Sequence, residues 1–274
     1  MIHFEHVTVC KGATVADDGF EIDESVPHSA RIWNYWLGGK HNYEVDREAG
    51  DAYVAVYPEI VDTARAGRAF LAQAVRHLVT EEGVRQFLDV GAGLPAVENT
   101  HQLAQRLDPA ARIVYVDHDP FVHALGRTML AGTPEGTTDF VAADMRDPAD
   151  VLERAKATLD FDRPIALMLM GCLGHIPDDD EALAIVRGLL AGLPSGSFLA
   201  LYDSHDQNAA LNEAQQGYDD TGAIPYKIRS TDQVRSFFDG LDLVGPGFIL
   251  YEDWPGAPVE RKGLPVVCAI GRKP

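Results

Sequence analysis

Positive charge is what this chain is short of: 23 lysines and arginines stand against 42 aspartates and glutamates, a formal net charge of −19. A protein that grips a phosphate backbone draws most of its non-specific affinity from Lys and Arg contacts. Here those residues form no stripe, which argues against a nucleic-acid substrate and for a small molecule. Cysteine is scarce too. Cys10, Cys172 and Cys268 are scattered and odd in number, so reduced thiols in the cytoplasm are expected rather than a disulfide framework. No apolar run approaches the roughly 20 residues of a membrane helix, and the longest, residues 165–173, fits a buried strand. The amino-terminal stretch has no signal-like apolar core and is acidic instead, with Asp17, Asp18, Glu21, Asp23 and Glu24. P-loop, nucleophile elbow, internal repeat and low-complexity segment are all missing, and no metal-ligand set stands at recognisable spacing.

What is present is a repeating strand-and-helix pattern in a chain long enough to bury a substantial core. Phe87, Leu88, Asp89 and Val90 form a short apolar run ending at an acid, and Gly91, Ala92 and Gly93 then break it. That is a strand stopping at a turn where backbone approaches a ligand closely. The next two strand-like segments also end in aspartate, at Asp117 and Asp144, 28 and 27 residues further on in turn. Each interval is about one strand–helix–strand unit.

Helices are expected over residues 59–81, 95–107, 120–130, 148–158, 178–190 and 230–238. In the first, Phe70, Leu71, Ala74, Val75 and Leu78 share one face. The acids 178–181 read as the first turn of a helix rather than as a metal site. Ser230 and Gln233 have the spacing of a capping box. Residues 247–251 and 265–270 have the length and separation of a closing hairpin. Strands alternating with helices imply an α/β fold, a mostly parallel sheet covered on both faces, with ligands beyond the carboxyl ends of its strands. Asp89, Asp117, Asp144, the loop 171–175 and Asp203 all fall at such ends.

The acids around the glycine turn point to a nucleoside-bearing cofactor, with S-adenosylmethionine the best candidate. Gly91 to Ala96 also satisfies a loose dinucleotide-binding pattern, so an NAD-dependent oxidoreductase stays in view. Asp89 argues against it, because an acid there repels the pyrophosphate and suits a cationic amino-acid head group. Asp117 is placed to accept hydrogen bonds from ribose hydroxyls. Asp144 and Met145 offer an acceptor for the adenine amino group and an apolar contact for the ring.

These residues, with others, carry a family resemblance. Residues 30–42, Asp46-Arg47, 91–95, 99–101, 114–120 and 176–178 together resemble the bacterial S-adenosyl methyltransferase family formerly catalogued as a domain of unknown function. The resemblance implies a seven-stranded Rossmann-like methyltransferase sheet whose last strand inserts antiparallel, and S-adenosylmethionine as cofactor. It implies no particular acceptor. It covers roughly residue 27 to the C-terminus; with residues 1–25, whose weak patterning and many acids read as a poorly ordered acidic arm, the expected division is that arm, an N-terminal helical lid (26–82) and a cofactor-binding domain (83–274), lid and domain forming one globular unit. His118 lies in the 114–120 motif and joins the expected cofactor site.

The segment from Arg31 to Asn42 does not follow from the fold. As a lid, Trp33, Tyr35 and Trp36 exclude water, Gly38 and Gly39 let backbone close over the cofactor, and Arg31 or Lys40 pairs with the methionine carboxylate. As an amphipathic helix, the same segment packs on the sheet with a glycine C-cap. For a protonated acceptor the chemistry needs a base, and His175, Asp203 and His205 are the candidates. The functional expectation is methyl transfer to oxygen or nitrogen of a small molecule. A non-catalytic cofactor-binding protein is the alternative from another class.

Overall fold

The computed structural model describes residues 13–15, 21–96, 98–128, 130–257 and 263–274. Of the acidic arm expected over 1–25, residues 1–12 and 16–20 lie outside the described residues. The described part holds a small antiparallel pair, β1 (Ala13–Val15) with β2 (Glu21–Asp23). Three helices follow: α1 (Ser29–Trp36), α2 (Glu44–Val56) and α3 (Ile60–Thr80). Alternation then begins with β3 (Gln86–Val90), α4 (Thr100–Leu107), β4 (Arg112–Asp117), α5 (Pro120–Thr128), β5 (Thr137–Ala142) and α6 (Pro148–Ala155). It continues through β6 (Ala166–Met170), α7 (Asp179–Gly192), β7 (Phe198–Ser204), α8 (Ala209–Asp219) and α9 (Thr231–Ser236). The hairpin β8 (Asp242–Leu250) and β9 (Val266–Arg272) closes the order.

The main sheet has seven strands in the order β5-β4-β3-β6-β7-β9-β8. Five are parallel, and β9 runs antiparallel between β7 and β8. Successive residues of a strand face opposite sides of a sheet. Leu88 and Val90 accordingly join a core with α6, α7 and α9, while Phe87 joins one with α3, α4 and α5. Both faces are covered, so the central strands are buried on both sides rather than alternating: β6 is wholly apolar, and β3 is apolar except for Gln86 and Asp89.

Local signals account for where the helices begin. Asp178 accepts the Glu181 N–H at 2.8 Å and Ser230 accepts that of Gln233, N-caps worth about 1 kcal/mol each. The helix expected from residue 95 begins only at Thr100. Asn99 spends its side chain on the Ala96 N–H at 3.0 Å, holding the preceding residues as a loop.

The expected lid segment divides between two layers. The apolar face of α3 is fused into the core under the sheet. The helices α1 and α2 instead pack with α8 into a separate cluster that includes Ile32, Trp36, Tyr53, Leu211 and Tyr218. That three-helix cap sits over the carboxyl ends of the strands. No described helix is long and apolar enough to cross a membrane.

Candidate functional site

Beneath the cap, at the strand ends, lies a cavity of about 270 Å³. Asp89, Gly91, Ala92, Gly93, Asp117, His118, Asp144, Met145 and His175 all line it. The structure thus brings together nine expected residues from four loops. Their clustering follows from topology, since every parallel strand ends on the same side of the sheet.

The glycine turn is built for close approach. Gly91 has φ +70°, and a Cβ there would sit 2.5 Å from the Cβ of Cys172. Gly93 has φ +64° with nothing within 4 Å of the missing Cβ, so its backbone is bare. The Gly91 N–H donates to the Val116 carbonyl at 2.9 Å, which ties the turn to the end of β4. Asp117 fixes the rest: Oδ2 accepts the Gly93 N–H at 2.9 Å and Oδ1 accepts that of Asp119 at 3.0 Å. Each oxygen keeps a second lone pair for a ligand.

Burial pushes the Asp89 carboxyl up to about 6, against the pull of the Thr100 hydroxyl that donates to it at 2.6 Å. It remains an anion at neutral pH. The unfolded chain ionises near the ordinary value of 3.8 while the folded chain holds its proton, so stability is lost as pH rises from about 4 through about 6. The difference is on the order of 3 kcal/mol, at about 1.4 kcal/mol per pKa unit. Asp89→Asn is therefore expected to raise stability at pH 7.5 by about 1 to 2 kcal/mol and to flatten its decline between pH 4 and 6. Denaturant unfolding across that range checks it. An unchanged pH profile would mean that Asp89 is not the strained group.

Arg68 joins the site from outside every sequence motif. It extends from α3 to the cavity, donates from Nη2 to the Glu98 carbonyl at 2.5 Å, and has a buried Nε with no partner. Its charge acts on Asp89 across the site. Nothing local in the helix sequence marks it, because the face it shares with the apolar residues appears only once α3 is docked. His28 is a second addition: its Nε2 lies 3.1 Å from Asp119 Oδ2, linking the start of α1 to the turn after β4.

Other expected residues are not brought to the cavity. Arg31 is buried and committed to Asp46, with Nε 2.9 Å from Oδ2, while its Nη atoms donate to the Asp23 and Val26 carbonyls. It holds the cap together and is not available to a ligand carboxylate. Tyr35 donates to Asp51 at 2.7 Å on the outer side. Gly38 has φ +77° and ends α1, its N–H donating to the Tyr35 carbonyl, as a C-capping glycine does. Gly39 and Asn42 fold back on Asn34, whose Oδ1 accepts from the His41 N–H and from Asn42 Nδ2. Lys40 is exposed and is not among the residues that line the cavity. Trp33 and Trp36 do line it.

Among the base candidates, His205 is buried beside Arg229 and does not line the cavity. His175 lines the cavity, with Nδ1 3.1 Å from the Pro225 carbonyl. A carbonyl only accepts, so Nδ1 carries the proton in that contact. Burial pulls the imidazole down to about 4, so it is a neutral and weak base. Asp203, at the end of β7, is buried and accepts the Ser204 N–H at 2.8 Å and the Tyr226 hydroxyl at 2.5 Å. Tyr226, not Asp203, meets the cavity. No group of three His, Cys, Asp or Glu able to hold a metal occurs among the described residues.

Comparisons with known proteins converge on one family. The model of the S-adenosyl methyltransferase family matches residues 16–274. A DUF574 family protein from Streptomyces avermitilis MA-4680 is 40% identical, with a TM-score of 0.87 over 92% of this chain and 99% of that one. A protein from Thermobifida fusca YX is 34% identical, with a TM-score of 0.83 over 91% of this chain and 96% of that one. No curated protein matches the chain.

Proposed function

Since this chain belongs to the S-adenosyl methyltransferase family, we propose that it transfers a methyl group from S-adenosylmethionine to oxygen or nitrogen of a small-molecule acceptor. The observation that carries the reading is the convergence of Asp89, Asp117 and Asp144 around the bare backbone of Gly93 on one cavity wall. The residues present fit the cofactor. Asp89 and Arg68 set an anion beside a cation whose Nε is orphaned, which matches the ammonium and carboxylate of an amino-acid head group. Asp117 has free lone pairs for ribose hydroxyls, and Asp144 with Met145 offers an acceptor and an apolar surface to adenine. A dinucleotide would set its pyrophosphate against the Asp89 anion.

When bound, S-adenosylmethionine supplies a methyl carbon on a positively charged sulfur, an already activated electrophile. The protein's share is then alignment, water exclusion and removal of a proton. The strand-end loops fix position. The cap helices α1, α2 and α8 close the cavity from above and keep water out, the role expected of a lid. The net charge argues against a nucleic-acid acceptor, and two buried free thiols, Cys172 and Cys268, suit the cytoplasm.

Calorimetry with S-adenosylmethionine, S-adenosylhomocysteine and NAD tests the reading. The first two are expected to bind with similar affinity and NAD not at all; binding of NAD alone would overturn it. Arg68→Met should weaken S-adenosylhomocysteine binding about 10-fold, the loss of one charge-assisted pair. Decarboxylated S-adenosylhomocysteine should bind the variant and the wild type equally. A variant that still prefers the intact ligand would remove Arg68 from the site.

A further inference from the structure

The cavity wall is electrically divided. Asp89, Asp117, Asp119, Asp144 and the cations lie on the strand-end side. The wall supplied by α1, α2, α8 and residues 223–228 includes no Asp, Glu, Lys or Arg among the described residues. It is aromatic instead, with Asn34 and Gln215 as its uncharged amides. Trp33 meets Trp36 edge-on at 5.7 Å, Trp36 meets Tyr53 at 5.1 Å, and Tyr53 meets Tyr218 at 6.3 Å. Such a surface gains from flat apolar partners, while a charged one would lose its hydration with no counter-ion to replace it.

One polar group stands out at this end. The ring of Tyr226 lies against Gly174, where a Cβ would fall 2.3 Å from Cζ, so only glycine leaves it room. The Lys227 N–H donates to the Gly174 carbonyl at 2.8 Å and pins the segment beside it. His175 packs edge-on against the ring at 5.0 Å. Thus held, the Tyr226 hydroxyl donates to Asp203 and still has two lone pairs.

Resting on the cofactor reading above, we propose that the aromatic end of the cavity receives an uncharged, flat, largely apolar acceptor with one exchangeable O–H or N–H, and that Tyr226, backed by Asp203, takes its proton. The acceptor's O–H or N–H donates to the Tyr226 oxygen. As the acceptor atom bonds to the methyl carbon, the methyl–sulfur bond breaks and its electron pair stays on sulfur. The acceptor's proton passes to the Tyr226 oxygen while the Tyr226 proton passes to Asp203 Oδ1, leaving a neutral phenol and a carboxylic acid. Once the product leaves, the proton passes back from Asp203 to the Tyr226 oxygen as the Tyr226 proton passes to water in the cavity. Burial raises the Asp203 carboxyl to about 6, so it holds a proton roughly 100-fold better than His175 and still releases it at neutral pH.

The test uses the protein saturated with S-adenosylhomocysteine and three probes: 4-nitrophenol in its neutral form, nitrobenzene and 4-nitrobenzoate. Calorimetry is expected to show 4-nitrophenol at least 10-fold tighter than either of the others. Tyr226→Phe, which keeps the ring in its slot, should bind 4-nitrophenol and nitrobenzene equally and leave S-adenosylhomocysteine affinity unchanged. Equal binding of the benzoate, a phenol preference that survives Tyr226→Phe, or no binding of any probe would overturn the proposal. Failure of S-adenosylhomocysteine itself to bind would instead overturn the cofactor reading. With an acceptor of this class, Tyr226→Phe and Asp203→Asn should each lower kcat at least 100-fold at little change in KM. A loss confined to Tyr226→Phe would sink the proton route.

Discussion

Replacing Asp46 by alanine is expected to lower the stability of the protein by about 3 to 5 kcal/mol, the cost of leaving a buried charge without its partner. Asp46 is fully buried and Arg31 nearly so. Besides Arg31, the carboxylate accepts the His28 N–H at 2.9 Å and the Tyr43 N–H at 2.8 Å. One side chain therefore joins the starts of α1 and α2 to each other and to the cation between them. Removing it strands the guanidinium and two backbone donors together. Arg31→Met with Asp46→Leu should be less destabilised than the sum of its two single variants, because the second change removes the orphan left by the first. Chemical denaturation of the four proteins measures that coupling. Arg31→Met should retain S-adenosylhomocysteine affinity; a weaker ligand with unaltered stability would return Arg31 to the cofactor.

Asp117→Ala carries the second large effect, on binding: about 2 to 4 kcal/mol, or roughly 30- to 1,000-fold weaker S-adenosylhomocysteine. Two losses combine. The ribose loses its acceptor, and the N–H groups of Gly93 and Asp119 lose theirs, so the bare turn is no longer held open. Asparagine is not a neutral replacement. Both carboxylate oxygens face backbone donors, and an amide must turn its own NH₂ toward one of them. Asp117→Asn is expected to fall between alanine and wild type. Titration calorimetry gives the affinities, and amide exchange at Gly93 reports whether the turn has loosened. Unchanged affinity in Asp117→Ala would refute the ribose role.

How much of this was legible depended on whether the cause was local. The strand-end acids, the glycine turn, the Asp178 and Ser230 caps and the closing hairpin follow from neighbours a few residues apart, and the structure has them. The helix α8 carries a readable signal, Asn208 as N-cap and Leu211, Ala214, Gln215 and Tyr218 buried on one face. Polar Gln215 and Gln216 and the glycine after them mask that face in sequence. Residues 38–42 admit two readings in sequence, and the structure folds Gly39, His41 and Asn42 back onto Asn34 at the end of α1, off the cavity wall. Tyr226 and Arg229 had no signal at all. Tyr226 owes its place to Asp203, 23 residues away, and the buried Arg229 bonds Asp179 and the Leu173 and Ile176 carbonyls, some 50 residues away. Partners that distant are set by the fold alone.

The place of β9 has a consequence for how the protein is made. Synthesis delivers β8 before β9, yet β8 touches the rest of the sheet only through β9. While the chain is still growing on the ribosome, β7 and β8 must therefore both wait with bare edges for a strand not yet translated. Unpaired edges invite pairing with other chains. The acidity of the chain, with −19 formal charges, makes copies of it repel one another during that interval. Charge spread over the whole chain thus guards the sheet before its last strand closes it.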